Sequence, residues 1–272
     1  MARRTLTALG LLAIVVPAIL FGGLLYFLLI AFFIVIASWE FVQMFREAQY
    51  QPSIYLSVGG TLAILVVRAL YADHLEYSVA VFTCLILLAM AIHLIAYERG
   101  RDQAAFDFLV TVGCFVYLGW VGSYLIDLRS LPHGGWWVMF ALPIVWLADS
   151  GAYSFGARYG KHLMTPRLSP KKSWEGYWAG VFMGTVYGAF FAFAYSTYGP
   201  LHVSILQGVI FGFVLSTTTT LGDLGESLFK RFGQMKDSGN LFPGHGGAFD
   251  RIDSLIWGAV IGFYWIHFFL LK

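Results

Sequence analysis

Nine apolar runs separated by short polar connections decide what this chain can become. Their approximate bounds are Thr5 to Phe21, Gly23 to Phe45, Ile54 to Ala72, Tyr77 to Tyr97, Ala104 to Ile126, Trp136 to Tyr159, Tyr177 to Tyr198, Leu201 to Phe229 and Ile252 to Leu271. Crossing a hydrocarbon core takes an α-helix of roughly 20 residues, and these runs are of that size. In lipid every backbone N–H and C=O must be satisfied within the chain, so such runs form helices rather than the short alternating strands of a barrel. The expected fold is all-α, a polytopic transmembrane helical bundle of about nine spans. Gly22 and Gly23 leave so small a turn that the first two runs can also be read as one broken segment. Hydrophobic residues make up 59% of the 272 and charged residues 12%, and no polar stretch is long enough for a separate soluble domain. We therefore expect one integral membrane domain over residues 1–272, with 1–130 mainly scaffold helices and 131–272 carrying the site.

The few charges are unevenly placed. Fourteen of the seventeen lysine and arginine residues fall in alternate connections beginning with the N-terminus, including Arg158, Lys161, Arg167, Lys171 and Lys172 in one loop. By the positive-inside rule the N-terminus and both long basic loops face the cytoplasm, which requires an odd number of spans. Arg3 and Arg4 before an apolar run mimic a signal peptide, but no small-x-small cleavage site stands out, so a retained first span is expected. A net charge of +2 gives a nucleic-acid partner no electrostatic support. Cys84 and Cys114 lie inside apolar runs without ligand-like spacing and read as core residues. Trp136, Trp137, Trp174 and Trp178 read as an interfacial aromatic belt.

One stretch breaks the apolar pattern. Ser227 to Asp253 packs Lys230, Arg231, Lys236 and Arg251 with Asp237, Asp250, Asp253, His245 and five glycines. Asp250 and Asp253 are three apart at the start of the last predicted helix, hence on one face and one turn apart. Capping at a helix N-terminus accounts for one such acid; two that close repel unless a cation lies between them. The available donors are oxygens, and a lone His245 lacks the partners zinc would need, so the implied metal is hard. Magnesium fits, and because it usually binds through one or two carboxylates together with substrate phosphates, it implies a phosphorylated substrate.

Asp223, Glu226 and Asp237 extend the acidic set, and Asp149 is a further carboxylate inside a predicted span, where charge is expensive. For Asp149, a catalytic role and a structural hydrogen bond both stay open. Lys230, Arg231 and Lys236 offer cationic donors to phosphate, while Gly244, Gly246 and Gly247 around His245 allow backbone N–H groups to approach an anion. The second polar loop, Leu168 to Gly176, reads LSPKKSWEG. Lys171 and Lys172 can be topology markers alone. With Ser169, Ser173 and Glu175 they can also form a second anion-contacting wall.

These residues resemble the signature of the CDP-diacylglycerol synthases, or phosphatidate cytidylyltransferases, seen here as Ser227, Lys230, Arg231, Lys236, Asp237, Pro243, His245, Gly246, Gly247, Asp250, Arg251 and Asp253. The segments Gly222 to Ser227, Ser169 to Gly176 and Asp149 to Lys161 also look like that family, with one departure at Gly225, where a bulkier residue is expected. The resemblance implies transfer of the cytidylyl group of CTP to phosphatidate, giving CDP-diacylglycerol and pyrophosphate, with Mg2+ and a second cation such as K+ as cofactors. It further implies a homodimer in a bacterial plasma membrane with the site toward the cytoplasm. Asp223, Asp250 and Asp253 would be the metal-associated acids. Lys230, Arg231, Lys236 and His245 would surround the phosphates, and Asp237 and Arg251 would belong to the catalytic set with them and the three acids. Ser169, Lys171, Lys172, Ser173, Glu175, Ser227, Gly246 and Gly247 would contact substrate. A transporter for a phosphorylated solute is the rival from another class, but paired interrupted helices are not apparent in the two halves. A different lipid phosphate acceptor is the rival within the enzyme class.

Overall fold

The computed structural model describes residues 13–239 and 246–271. Helices account for most of it: α1 (Gly23–Glu47), α2 (Ile54–Leu70), α3 (Leu75–Glu98), α4 (Ala104–Cys114), α5 (Tyr124–Ser130), α6 (Gly134–Tyr159), α7 (Trp174–Tyr198), α8 (Ile205–Thr218), α9 (Thr220–Phe232) and α10 (Phe249–Trp265). Phe115–Val121 joins α4 to α5 as a π-helix, and Ile266–Leu270 extends α10 in the same form. Seven helices among the described residues are long and apolar enough to cross a membrane, counting α4 through α5, α8 with α9, and α10 with its extension as single runs. The Ile54–Leu70 helix is apolar but shorter, at 17 residues. Residues 13–21 are helical, and the rest of the expected first span lies outside the described residues.

The all-α, polytopic reading is borne out in its class, with one addition. The basic connection after α6 pairs with itself as an antiparallel hairpin of β1 (Leu163–Thr165) and β2 (Ser169–Ser173), in which Leu163 faces Ser173 and Thr165 faces Ser169. Pairing satisfies backbone groups that a bare loop of this length would leave to solvent.

The described chain forms two compact units, Met1–Asp127 with Phe229–Ile252, and Leu128–Leu228 with Asp253–Lys272. In the first unit, buried Leu56, Ile64, Ala89 and Phe115 are packed by Phe82, Leu85 and Trp120. A second aromatic group holds the polar signature in place: Phe41 meets Phe229 edge-on with centroids 5.0 Å apart, and Phe229 stacks with Phe249 at 6.3 Å. Those two rings flank Lys230 and Asp250 in sequence, so apolar packing fixes where the charges emerge. Arg68, one of the cations outside the basic connections, is buried in α2. Its Nε lies 3.4 Å from Asp127 Oδ2 and 3.2 Å from Ser123 Oγ, and its guanidinium lies 4.6 Å from the Trp120 ring centre. A charge kept away from water in this way is tolerable because it is paired and stacked.

The second unit is built on close backbone approach. Gly176, Gly180, Gly184 and Gly188 recur every fourth residue of α7 and form one stripe. A Cβ at Gly180 would lie 2.8 Å from Ala148 O on α6, and one at Gly188 would collide with Gly208 O and lie 2.9 Å from Gly212 Cα on α8. Small residues let membrane helices meet backbone to backbone, where dispersion and weak polar contacts replace the missing hydrophobic drive. The division between α8 and α9 at Thr219 coincides with a hydroxyl run. Ser216, Thr217, Thr218 and Thr219 each donate to the carbonyl four residues back, at 2.6 to 2.8 Å. Bonds of that kind draw carbonyls toward side chains and favour a bend.

Two minor expectations change. Cys114 is buried as expected, but Cys84 is exposed on α3, because an apolar run places lipid-facing and core-facing residues on the same helix. Trp136, Trp174 and Trp178 are exposed, in keeping with a belt, whereas Trp137 is buried and donates its Nε1–H to Pro132 O at 2.9 Å.

Candidate active site

In the second unit, Asp223 and Glu226 sit three residues apart on α9 and so share a face. With Asp253 on α10 they form a cluster in which one oxygen from each lies within 4.8 Å of the others. Glu226 and Asp253 are buried and Asp223 is half-buried. Two details of the sequence make this possible. Gly222 has no side chain where α9 passes the backbone of α10: a Cβ there would lie 2.5 Å from Asp253 O and 2.8 Å from Trp257. Asp253 is oriented by accepting the Ser254 N–H at 2.6 Å. Lys172, from β2, forms an ion pair with Asp223 Oδ2. Asp149 is within electrostatic reach of Lys172 and Asp223 and shares a hydrogen bond with Ser254.

Three carboxylates at that spacing, with no sulfur or imidazole, are the donor chemistry of a hard divalent cation such as magnesium. The resemblance implies Asp223, Asp250 and Asp253 as the metal-associated acids; the cluster holds Asp223 and Asp253 with Glu226, while Asp250 is ion-paired with Lys230. The spacing of Glu226 from Asp223 already sets it on the same helix face.

The hairpin that delivers Lys172 is itself anchored. Glu175 accepts the backbone N–H of Lys161 at 3.1 Å and that of His162 at 3.2 Å, and its Oε1 lies 2.5 Å from His162 Nδ1. Ser173 caps α7 by accepting the Gly176 N–H at 3.2 Å. Both residues were expected at substrate; in the structure their oxygens hold the loop. Lys171 is exposed, and Ser169 is half-buried at the other end of the strand.

In the first unit, Lys230 Nζ lies 2.6 Å from Asp250 Oδ1, with both side chains about nine-tenths buried. Asp250 Oδ2 accepts from Ser238 N at 3.0 Å, Ser238 Oγ at 2.9 Å and Gly247 N at 2.8 Å. Gly246 has a φ of 79°, a left-handed conformation glycine adopts without strain, and a Cβ there would collide with the Asp250 carboxylate. Of the glycines expected to offer N–H groups to an anion, Gly247 turns its N–H to Asp250, and the next two amides, those of Ala248 and Phe249, go to Glu40. Glu40 and Ser238 went unnoticed in the sequence. A lone acid in an otherwise apolar span was the available signal for Glu40.

Arg231, Lys236, Asp237 and Arg251 are exposed side chains in this same signature region, and Ser227 is buried on α9. His245, with Pro243 and Gly244, lies outside the described residues.

Comparison with known proteins matches residues 2–269 to the model of the cytidylyltransferase family. A phosphatidate cytidylyltransferase of Staphylococcus epidermidis is 34% identical over 261 residues, covering 94% of this chain and 95% of the relative. Proteins of the same name from Staphylococcus aureus and Staphylococcus saprophyticus are 33% and 32% identical, each over 94% of this chain and 95% of their own length. The resemblance carried by the signature residues is thus borne out over nearly the whole sequence, the early helices included. The chain belongs to the cytidylyltransferase family.

Proposed function

We propose that this protein transfers the cytidylyl group of CTP to phosphatidate, releasing pyrophosphate and forming CDP-diacylglycerol for phospholipid synthesis. The observation that carries the reading is the hard-cation acid cluster of Asp223, Glu226 and Asp253, in a chain with seven helices long and apolar enough to cross a membrane among its described residues; the buried Lys230–Asp250 ion pair of the other unit adds to it.

The chemistry asks little of a nucleophilic side chain. The phosphate of phosphatidate is already anionic at neutral pH, so one of its oxygens can attack the α phosphorus of CTP directly. The new P–O bond forms as the bond to pyrophosphate breaks, and no proton has to move. What remains is alignment and charge. Lys230, Arg231 and Lys236 offset charge gathering on the departing pyrophosphate, and Lys172 supplies a further cation beside Asp223. Asp223, Glu226 and Asp253 would hold a magnesium ion, which would neutralise triphosphate oxygens when bound. K+ as a second cation follows from the family resemblance alone. Asp250 keeps Lys230 directed, and Ser227 serves as a structural hydroxyl.

A membrane setting follows from the substrate. Each buried methylene holds a lipid in the bilayer by roughly 0.8 kcal/mol, so the reaction takes place where the headgroup meets the aqueous phase that supplies CTP. Placing that face in the cytoplasm, with nine spans in one membrane domain and a homodimer in a bacterial plasma membrane, completes the proposal.

The purified protein in phosphatidate-containing vesicles, given CTP and magnesium, is expected to yield CDP-diacylglycerol by mass spectrometry, and to use soluble phosphates such as glycerol 3-phosphate far less well. Equal turnover of soluble and lipid acceptors would contradict the lipid-specific reading. Solute flux into protein-loaded vesicles without CTP would favour a transporter.

A further inference from the structure

Glu40 lies on α1, seven residues before its end, and is 1% exposed. A carboxylate buried in an apolar span is expensive and marks a place where its charge or acceptors are used. Its partners lie about two hundred residues away in sequence. Oε1 accepts the Ala248 N–H at 2.9 Å, and Oε2 accepts the Phe249 N–H at 2.8 Å and faces Ser238 Oγ at 2.8 Å. Ala248 and Phe249 are where α10 begins, and first-turn N–H groups have no acceptor inside their own helix. Glu40 therefore caps α10 from another helix, its charge at the end of the helix dipole that favours it. The surrounding backbone is shaped to it: a Cβ at Gly239 or at Gly247 would collide with the Glu40 carboxylate.

Ser238 ties this cap to the proposed chemistry. A serine hydroxyl has one hydrogen to donate. Ser238 Oγ lies 2.8 Å from Glu40 Oε2 and 2.9 Å from Asp250 Oδ2, so the two acids share one donor. Asp250 in turn holds Lys230 through its other oxygen. A change at Glu40 reaches Lys230 through two side chains and through the start of the helix that carries Asp250.

We propose that Glu40 is a positioning residue for the transfer reaction: it captures the opening amides of α10 and, through Ser238, sets the Asp250 carboxylate against Lys230. The inference rests on the proposed activity, and its test separates the two. Glu40→Gln keeps the size of the side chain and removes the charge, while Ser238→Ala cuts the link and leaves Glu40 in place. Each variant is expected to lower kcat by about 10- to 100-fold with KM for CTP and phosphatidate changed by less than about threefold, since the damage falls on orientation rather than uniform binding. Because both act on one link, the double variant should be no slower than the slower single, within about a factor of three. Amide hydrogen exchange at Ala248 and Phe249 should quicken by about tenfold or more in Glu40→Gln, a readout independent of turnover. Wild-type kcat in Ser238→Ala, or multiplied rather than shared losses in the double variant, would overturn the proposal. If Glu40→Gln does not fold, Ser238→Ala alone decides it. If the wild-type protein makes no CDP-diacylglycerol, the activity falls and takes this inference with it.

Discussion

Asp250→Ala should lower turnover by about a thousandfold or more while leaving the protein folded. The carboxylate faces Lys230, both donors of Ser238 and the Gly247 N–H. Without it the Lys230 ammonium loses the group that directs it, and the loop before α10 loses an acceptor that gathers three N–H or O–H groups. A hydrogen bond to a charged group contributes about 1.5 to 3 kcal/mol net to stability, so the melting temperature should fall as well. The same group held against charge that develops during reaction counts for more, because preorganised dipoles act at full strength away from water. Asp250→Asn preserves shape and should lose almost as much activity with a smaller shift in melting temperature. Initial rates with CTP and phosphatidate, beside circular dichroism and melting in detergent, check both. Retained turnover in a folded Asp250→Ala protein would remove the role given to this residue.

Asp223→Ala should cost about a hundred- to a thousandfold in turnover. It removes one of three clustered carboxylates and leaves Lys172 without its ion-pair partner. If those acids hold the metal, the magnesium concentration for half-maximal rate should also rise by about 10- to 100-fold, the scale seen when a metal's supporting groups are lost. A variant that is slow at every magnesium concentration, with an unchanged half-saturation point, would place Asp223 outside the metal set and leave it as an orienting partner for Lys172.

The division between what could and could not be read in advance follows from physics. Helices over Gly23–Glu47 or Leu75–Glu98 were legible because a long apolar run in lipid has one way to satisfy its backbone. Asp223 and Asp253 were legible because acids are conspicuous in such a chain. The hairpin of Leu163–Ser173 was not, since SPKKS has neither the alternation nor the β-branched residues that announce a strand, and its pairing depends on neighbours. Glu40 was missed because its meaning lies in contacts 198 to 209 residues away, which spacing along one helix cannot reveal. The same distance hid the engagement of Ala248 and Phe249: a glycine-rich loop before a helix looks like an anion cradle until Glu40 is found there, beside the local bond from Gly247 to Asp250.

At the centre of the account is a single direct attack by the lipid phosphate, with the protein supplying alignment and countercharge but no covalent intermediate. CTP made chiral at its α phosphorus with sulfur and an oxygen isotope tests this most directly. One in-line displacement predicts that the thiophosphate of CDP-diacylglycerol carries the inverted configuration. Retention would mean two successive displacements through a group on the protein, and would contradict the mechanism.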